Sequence, residues 1–133
     1  MTLRSRARDV VLQLLYRDDL HPGPDEAQDA DYVREQLDED TDTIAFARSL
    51  LQGVRQNRPD LDATLATAVE NWSVRRLSVV DRNVLRIGLY ELRYTDTPAR
   101  VVLNEAVELA KRFGTKHSGQ FVNGVLDRLM EKR

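Results

Sequence analysis

Arg4, Arg6 and Arg8 put three guanidinium groups into five residues near the start of the chain, and Tyr16 follows on the same predicted helix. Guanidinium groups fork onto phosphates and stack on bases, and an aromatic ring beside them supplies a base-stacking platform, so this pattern suits single-stranded RNA. At about 100° per residue the apolar stripe of this helix spans about 140°, and Tyr16 falls nearly opposite its centre. Its ring is either exposed beside the arginines, as a platform, or covered by the segment from Asp18 onward, as packing. The same arginines also suit a charged, mobile, solubilising terminus. A second basic and aromatic cluster comprises Lys111, Arg112, Phe113, Lys116, His117 and Phe121, bracketing the turn between the last two predicted helices. Phe113 and Phe121 also continue apolar stripes, a core reading that stands beside the platform one. Lys116 and His117 fall in the open turn, where the first amides of the next helix favour a phosphate.

Other chemistry is excluded by what the residues lack. The two histidines, His21 and His117, have no HExxH or comparable ligand spacing, so neither a metal nor a cofactor is implied. Gly114 and Gly119 mimic half of a phosphate-binding loop, but Gln120 and Phe121 stand where the Lys-Ser/Thr pair belongs. With no GxSxG, no dinucleotide fingerprint and no cysteine, the expectation is a protein that is not an enzyme. The absence of cysteine, of an apolar signal core near Met1 and of a span of roughly 20 apolar residues gives a cytoplasmic expectation, with no membrane partner.

Net charge is -2, but its distribution is uneven. From Asp18 to Asp42 there are 11 carboxylates and one base, Arg34, so this segment carries -10; the rest holds 11 acids against 19 bases, or +8. A basic body behind a near-neutral total suggests a polyanionic partner, although ordinary surface charge with one acidic loop gives the same count.

The elements that position these residues are helices, since period 3.6 recurs and sustained alternation does not. The first runs from about Leu3 to Arg17; Asp18 to Asp29, with Pro22, Gly23 and Pro24, reads as a loop; a weaker helix passes through Ala30, Val33 and Leu37. A third, capped by Thr41 or Thr43, must end before Pro59, and Asp60 caps a fourth that reaches Trp72. Ser78 and Asp81 form a capping-box-like pair for a fifth, largely buried helix to Tyr94. The sixth ends at Gly114, and Ser118 caps the last. The expectation is a single all-α unit, 1–133, of about seven helices in two small antiparallel bundles, 1–58 and 59–133, meeting at the Pro59 turn.

Three stretches add a resemblance: Asp81 to Leu92 (DRNVLRIGLYEL), Asn104 to Gly114 (NEAVELAKRFG) and Phe121 to Asp127 (FVNGVLD), joined by Arg6 to Tyr16 and Phe46 to Val54. In order and spacing the chain resembles the NusB family of transcription antitermination factors. The resemblance implies a fold of about seven helices in two bundles and a non-enzymatic role. The partners it implies are the boxA element of ribosomal RNA leader transcripts, NusE (the tenth small-subunit ribosomal protein) and, through them, an RNA polymerase antitermination complex. It implies an RNA surface on Arg4, Arg6, Arg8, Tyr16, Phe113, His117 and Phe121, to which Lys116 is added from the turn, and a NusE-facing surface that includes Arg76 and Asp81. Monomer and homodimer both stay open. NusB-like domains also precede ribosomal RNA methyltransferase domains, but a chain of this length is expected to stand without one. His117 brings a titratable group to the RNA surface, and the acidic segment is expected to point away from RNA or guard it.

Overall fold

The computed structural model describes residues 1–69 and 73–131. It contains six α-helices: α1 (Leu3–Leu20), α2 (Glu26–Gln36), α3 (Thr41–Ala68), α4 (Val79–Tyr94), α5 (Ala99–Phe113) and α6 (Ser118–Glu131), with a 3-10 turn at Val74–Arg76 before α4. Among the described residues no strand forms.

Local chemistry sets the helix starts. Thr2, Asp25, Asp40 and Ser78 each accept the N–H of the residue three positions on, at 3.0, 3.1, 3.0 and 3.0 Å, satisfying amides that a helix start leaves open. Asp40, and not Thr41 or Thr43, therefore caps α3. The Ser78 box is half formed: Ser78 accepts from Asp81 N–H, but no hydrogen bond returns from Ser78 N–H to the Asp81 carboxylate. Ser118, expected to cap the last helix, is its first residue and turns its hydroxyl back to accept from Thr115 N–H at 3.0 Å.

The main departure is at Pro59. The expected third and fourth helices are one 28-residue helix that runs through it, so the boundary expected between 58 and 59 falls inside α3. An internal proline costs about 3 kcal/mol by deleting a hydrogen bond and crowding the preceding turn. The opposing effect is burial: Ala47, Leu50, Val54, Leu61, Leu65 and Ala68 are all buried and, at about 100° per residue, fall within about 60° of arc on both sides of the proline. Breaking the helix would take one half of that stripe off α1 and α4, forfeiting several side chains worth about 1.5–3 kcal/mol each. Trp72, placed at the end of the expected fourth helix, lies outside the described residues.

Helix α4 is the axis. Residues 83–89, 91 and 92 are buried, and the helix packs on α1, α3, α5 and α6. Gly53 on α3 allows one close approach, because a methyl group there would overlap the ring of Tyr90. The apolar core is one cluster extending from Ala7 on α1 to Leu129 on α6. No helix is long and apolar enough to cross a membrane among the described residues.

Candidate nucleic-acid interface

Ion pairs decide which arginines face solvent. Arg8, expected on the RNA surface, is corrected to a core residue: it is 2 % exposed, and its Nε and Nη2 donate to the two oxygens of Glu91 at 2.8 Å each. Its Nη1 lies 3.7 Å from Glu105, which also accepts from the Ser5 hydroxyl at 2.8 Å. This buried network ties α1 to α4 and α5, and leaves Arg8 nothing to offer RNA. Arg4 is exposed, with its guanidinium 4.4 Å from the centre of the Phe46 ring, a cation–π contact. Arg6 faces the other way, donating to the carbonyl of Gln36 at 2.8 Å and to Asp38 at 3.2 Å. Phe46, which the sequence reading did not place beside the N-terminal arginines, lies under both Arg4 and Arg8, whose guanidinium is 5.1 Å from the ring centre.

The acidic segment is an internal clamp. Asp18 and Asp29 hold Arg55 at 2.7 and 2.8 Å, and Asp29 also pairs with Arg17. Asp19, with a side chain 1 % exposed, accepts from Arg58 at 2.6 Å, Arg82 at 2.9 Å, Asn83 at 2.8 Å and Arg86 at 3.0 Å. Burial pushes the Asp19 carboxyl up, but hydrogen bonds from Arg82 and Asn83 and the charges of Arg86 and Arg58 outweigh it and hold it below the usual carboxylate range. Three carboxylates of the -10 segment, Asp18, Asp19 and Asp29, are thus spent on arginines of the expected +8 body.

What faces solvent on α1 is a strip about 100° wide that contains Arg6, Asp9, Gln13, Tyr16 and Arg17. Tyr16 is 40 % exposed and lies at its edge, not under the loop. Asp9 accepts from Arg112 Nε at 3.1 Å, which brings the end of α5 against this strip. The next residue, Phe113, is 38 % exposed. Tyr16 and Phe113, 97 positions apart in sequence, are thus both exposed, one on α1 and the other at the end of α5 that the Asp9–Arg112 pair ties to α1. Gln13, between Asp9 and Tyr16 on the strip, takes the Tyr32 hydroxyl of α2.

Beyond Phe113, Lys116 and His117 are exposed in the α5–α6 turn. Neither side chain has a partner among the described residues. Phe121 is half-buried and packs on the core, so it joins both readings. His117, Ser118 and Phe121 line a groove of about 370 Å³ whose other wall is Arg76, Leu77 and Asp81. The residues expected to face RNA at this end and those expected to face NusE thus share one groove. Asp81 Oδ1 is buried there without a hydrogen-bond partner among the described residues, the acceptor freed when the Ser78 box stays half formed. A buried acceptor left unpaired by protein groups is rare, and such acceptors are met by ordered water or by a donor from a partner. Among the described residues no cluster of His, Asp and Glu side chains is placed to hold a metal ion.

Comparisons with known proteins bear on the family and the fold. The family model described as the NusB family matches residues 5–131. The "Transcription antitermination protein NusB" of Myxococcus xanthus is 41 % identical over 133 residues, covering 97 % of this chain and 95 % of that protein. A solved structure of T. maritima NusB superposes with a TM-score of 0.86 at 40 % identity, over 98 % of this chain and 92 % of that one. NusB in a crystal structure of antitermination factors NusB and NusE in complex with dsRNA superposes with a TM-score of 0.89 at 28 % identity, over 100 % and 99 % of the two chains. With the match running through all six helices, the chain belongs to the NusB family.

Proposed function

We propose that this protein is a transcription antitermination factor that binds boxA-type single-stranded RNA together with NusE and acts within an RNA polymerase antitermination complex in the cytoplasm, with no catalytic centre of its own. The observation that carries the reading is that Tyr16 and Phe113 are both exposed on helices joined by the Asp9–Arg112 pair, with Lys116 and His117 exposed in the turn after Phe113. Rings at this exposure offer stacking faces worth about 1–3 kcal/mol per base, and Lys116 beside Phe113 takes a phosphate. Arg4 and Arg6 extend the cationic edge in two directions, while Arg8 holds the helix that carries them. The neighbour solved with NusE and RNA supports the choice of partners.

NusE is assigned to the groove of Arg76 and Asp81, where the unpaired Asp81 Oδ1 accepts a donor from the partner. Because His117 and Phe121 form the opposite wall, RNA and NusE meet along this groove, and each adds binding surface for the other. The test is titration of boxA RNA into the protein with and without NusE. NusE tightens RNA binding in this account, and Asp81→Arg weakens NusE association more than binding of RNA alone. Equal RNA affinity with and without NusE rejects the shared groove. The absence of RNA binding in both arms rejects the reading as a whole.

A further inference from the structure

A second groove, of about 620 Å³, opens where α3 passes through Pro59 beside the 3-10 turn, and it shares no lining residue with the His117 groove. Four guanidinium groups, Arg58, Arg75, Arg82 and Arg86, line it against two carboxylates, Asp19 and Asp62, leaving an excess of two positive charges among the lining residues. The carboxylates are already fully used. Asp62 takes Arg86 through both oxygens at 2.8 and 2.9 Å, and Asp19 is shared by Arg58, Arg82 and Arg86.

The cations are not used up. A guanidinium carries five N–H donors, and Arg58 spends one nitrogen, Nη2, on Asp19 while its side chain stays 43 % exposed. Arg82 uses Nε on Asp19 and Nη1 on the carbonyl of Arg75 at 3.3 Å, leaving Nη2 open. Arg75 is exposed, and its side chain has no partner among the described residues. The floor beneath these donors is Ala63 and Ala66, one turn apart on α3, whose short side chains give the groove its depth. Asp19 fixes the forks of Arg58 and Arg82 in advance, so a ligand meets positioned donors and little ordering cost remains.

The geometry points to a phosphodiester contact at this groove: the RNA backbone lays a phosphate between Arg58, Arg75 and Arg82, apart from the bases that stack on the Tyr16 strip. The complete fork of Arg75 and the remaining open N–H donors of Arg58 and Arg82 converge from several directions, as a tetrahedral oxyanion requires. Among the described residues no aromatic lines the groove, and the contact assigned here is to the RNA backbone.

The test follows the guanidinium Nε–Hε resonances of the whole protein by NMR during titration with oligouridylate, inorganic phosphate or polyglutamate, alongside an affinity measurement on Arg75→Ala. The expected result is saturable movement of the Arg58, Arg75 and Arg82 signals with oligouridylate, tighter than with inorganic phosphate and absent with polyglutamate at equal charge. Arg75→Ala, which removes no side-chain contact, then lowers oligouridylate affinity several-fold and reduces the salt slope by about 0.7. Unmoved guanidinium signals, equal response to polyglutamate, phosphate binding as tight as oligouridylate, or an Arg75→Ala affinity and slope equal to the parent each overturn it. The ring signals of Tyr16 and Phe113 report the stacking strip in the same spectra, so failure of the groove and failure of the proposed RNA function are read separately.

Discussion

The start of α1 and the α5–α6 turn both join basic residues to aromatic ones, yet the fold treats them differently. On α1, Arg4 lies over Phe46, Arg6 reaches Asp38, and Arg8 is buried against Glu91. In the turn, Lys116 and His117 are exposed beside Phe113, with no side-chain partner among the described residues. The difference lies in what the opposing helix presents. Where α4 offers a carboxylate at core depth, a guanidinium can be buried with its hydrogen bonds met and becomes framework. Where the chain turns outward, Lys116 meets no carboxylate among the described residues and stays free for a partner. A cluster of arginines is therefore read by its neighbours in space and not by its density in sequence.

The largest expected effect comes from breaking the framework side of this comparison. Arg8→Ala strands the buried Glu91 carboxylate and costs about 3–5 kcal/mol. In a chain of this size that lowers the thermal midpoint by about 10–20 °C, measured by calorimetry or circular dichroism. Lys116→Ala leaves the midpoint unchanged in the same experiment.

Asp19→Asn is next, at about 3 kcal/mol, because one carboxylate serves three guanidinium groups there. Its pH dependence sharpens the point. The Asp19 pKa is lowered in the folded state, so its contribution is complete above the unfolded value of about 3.9 and is lost as pH falls through the folded value. Denaturant unfolding of the parent therefore weakens below about pH 4, and the asparagine variant loses part of that acid sensitivity.

The smallest structural effect falls on the exposed pair. Arg6→Ala removes a contact with Asp38, whose side chain is 76 % exposed, and changes stability by about 0.2–1 kcal/mol. Lys116→Ala, neutral for stability, lowers the salt slope of RNA binding by about 0.7. A slope equal to that of the parent removes Lys116 from the interface.

Much of this was legible in the residues, and the misses were local. The all-helical class and the buried α4 follow from periodicity, which also places Tyr16 opposite the apolar stripe of α1 but leaves open whether the following segment covers it. Arg8 was open to a better reading, since it precedes Val11, Leu12 and Leu15 by three, four and seven positions and so shares their buried face. The continuity of α3 was likewise written in phase, because Leu61, Leu65 and Ala68 continue the stripe of Ala47, Leu50 and Val54 without a shift across Pro59. A local breaker lost to burial on both sides. By contrast, no periodicity within one helix tells that Asp9 meets Arg112, or that His117 shares a groove with Asp81; those pairings are set by how the helices pack. The acidic segment was visible as charge, but its partners Arg55, Arg58, Arg82 and Arg86 lie on other helices, so its role as an internal clamp emerges only in the fold.

The most direct test of the RNA face is Tyr16→Ala, measured by thermal unfolding of the free protein and by boxA RNA titration in the presence of NusE. The account predicts a folded protein with a near-parental midpoint and an affinity lower by about 1–3 kcal/mol, a factor of roughly 5 to 150 in Kd. A variant that unfolds many degrees early while its folded fraction binds boxA like the parent contradicts it, and makes the tyrosine a packing residue.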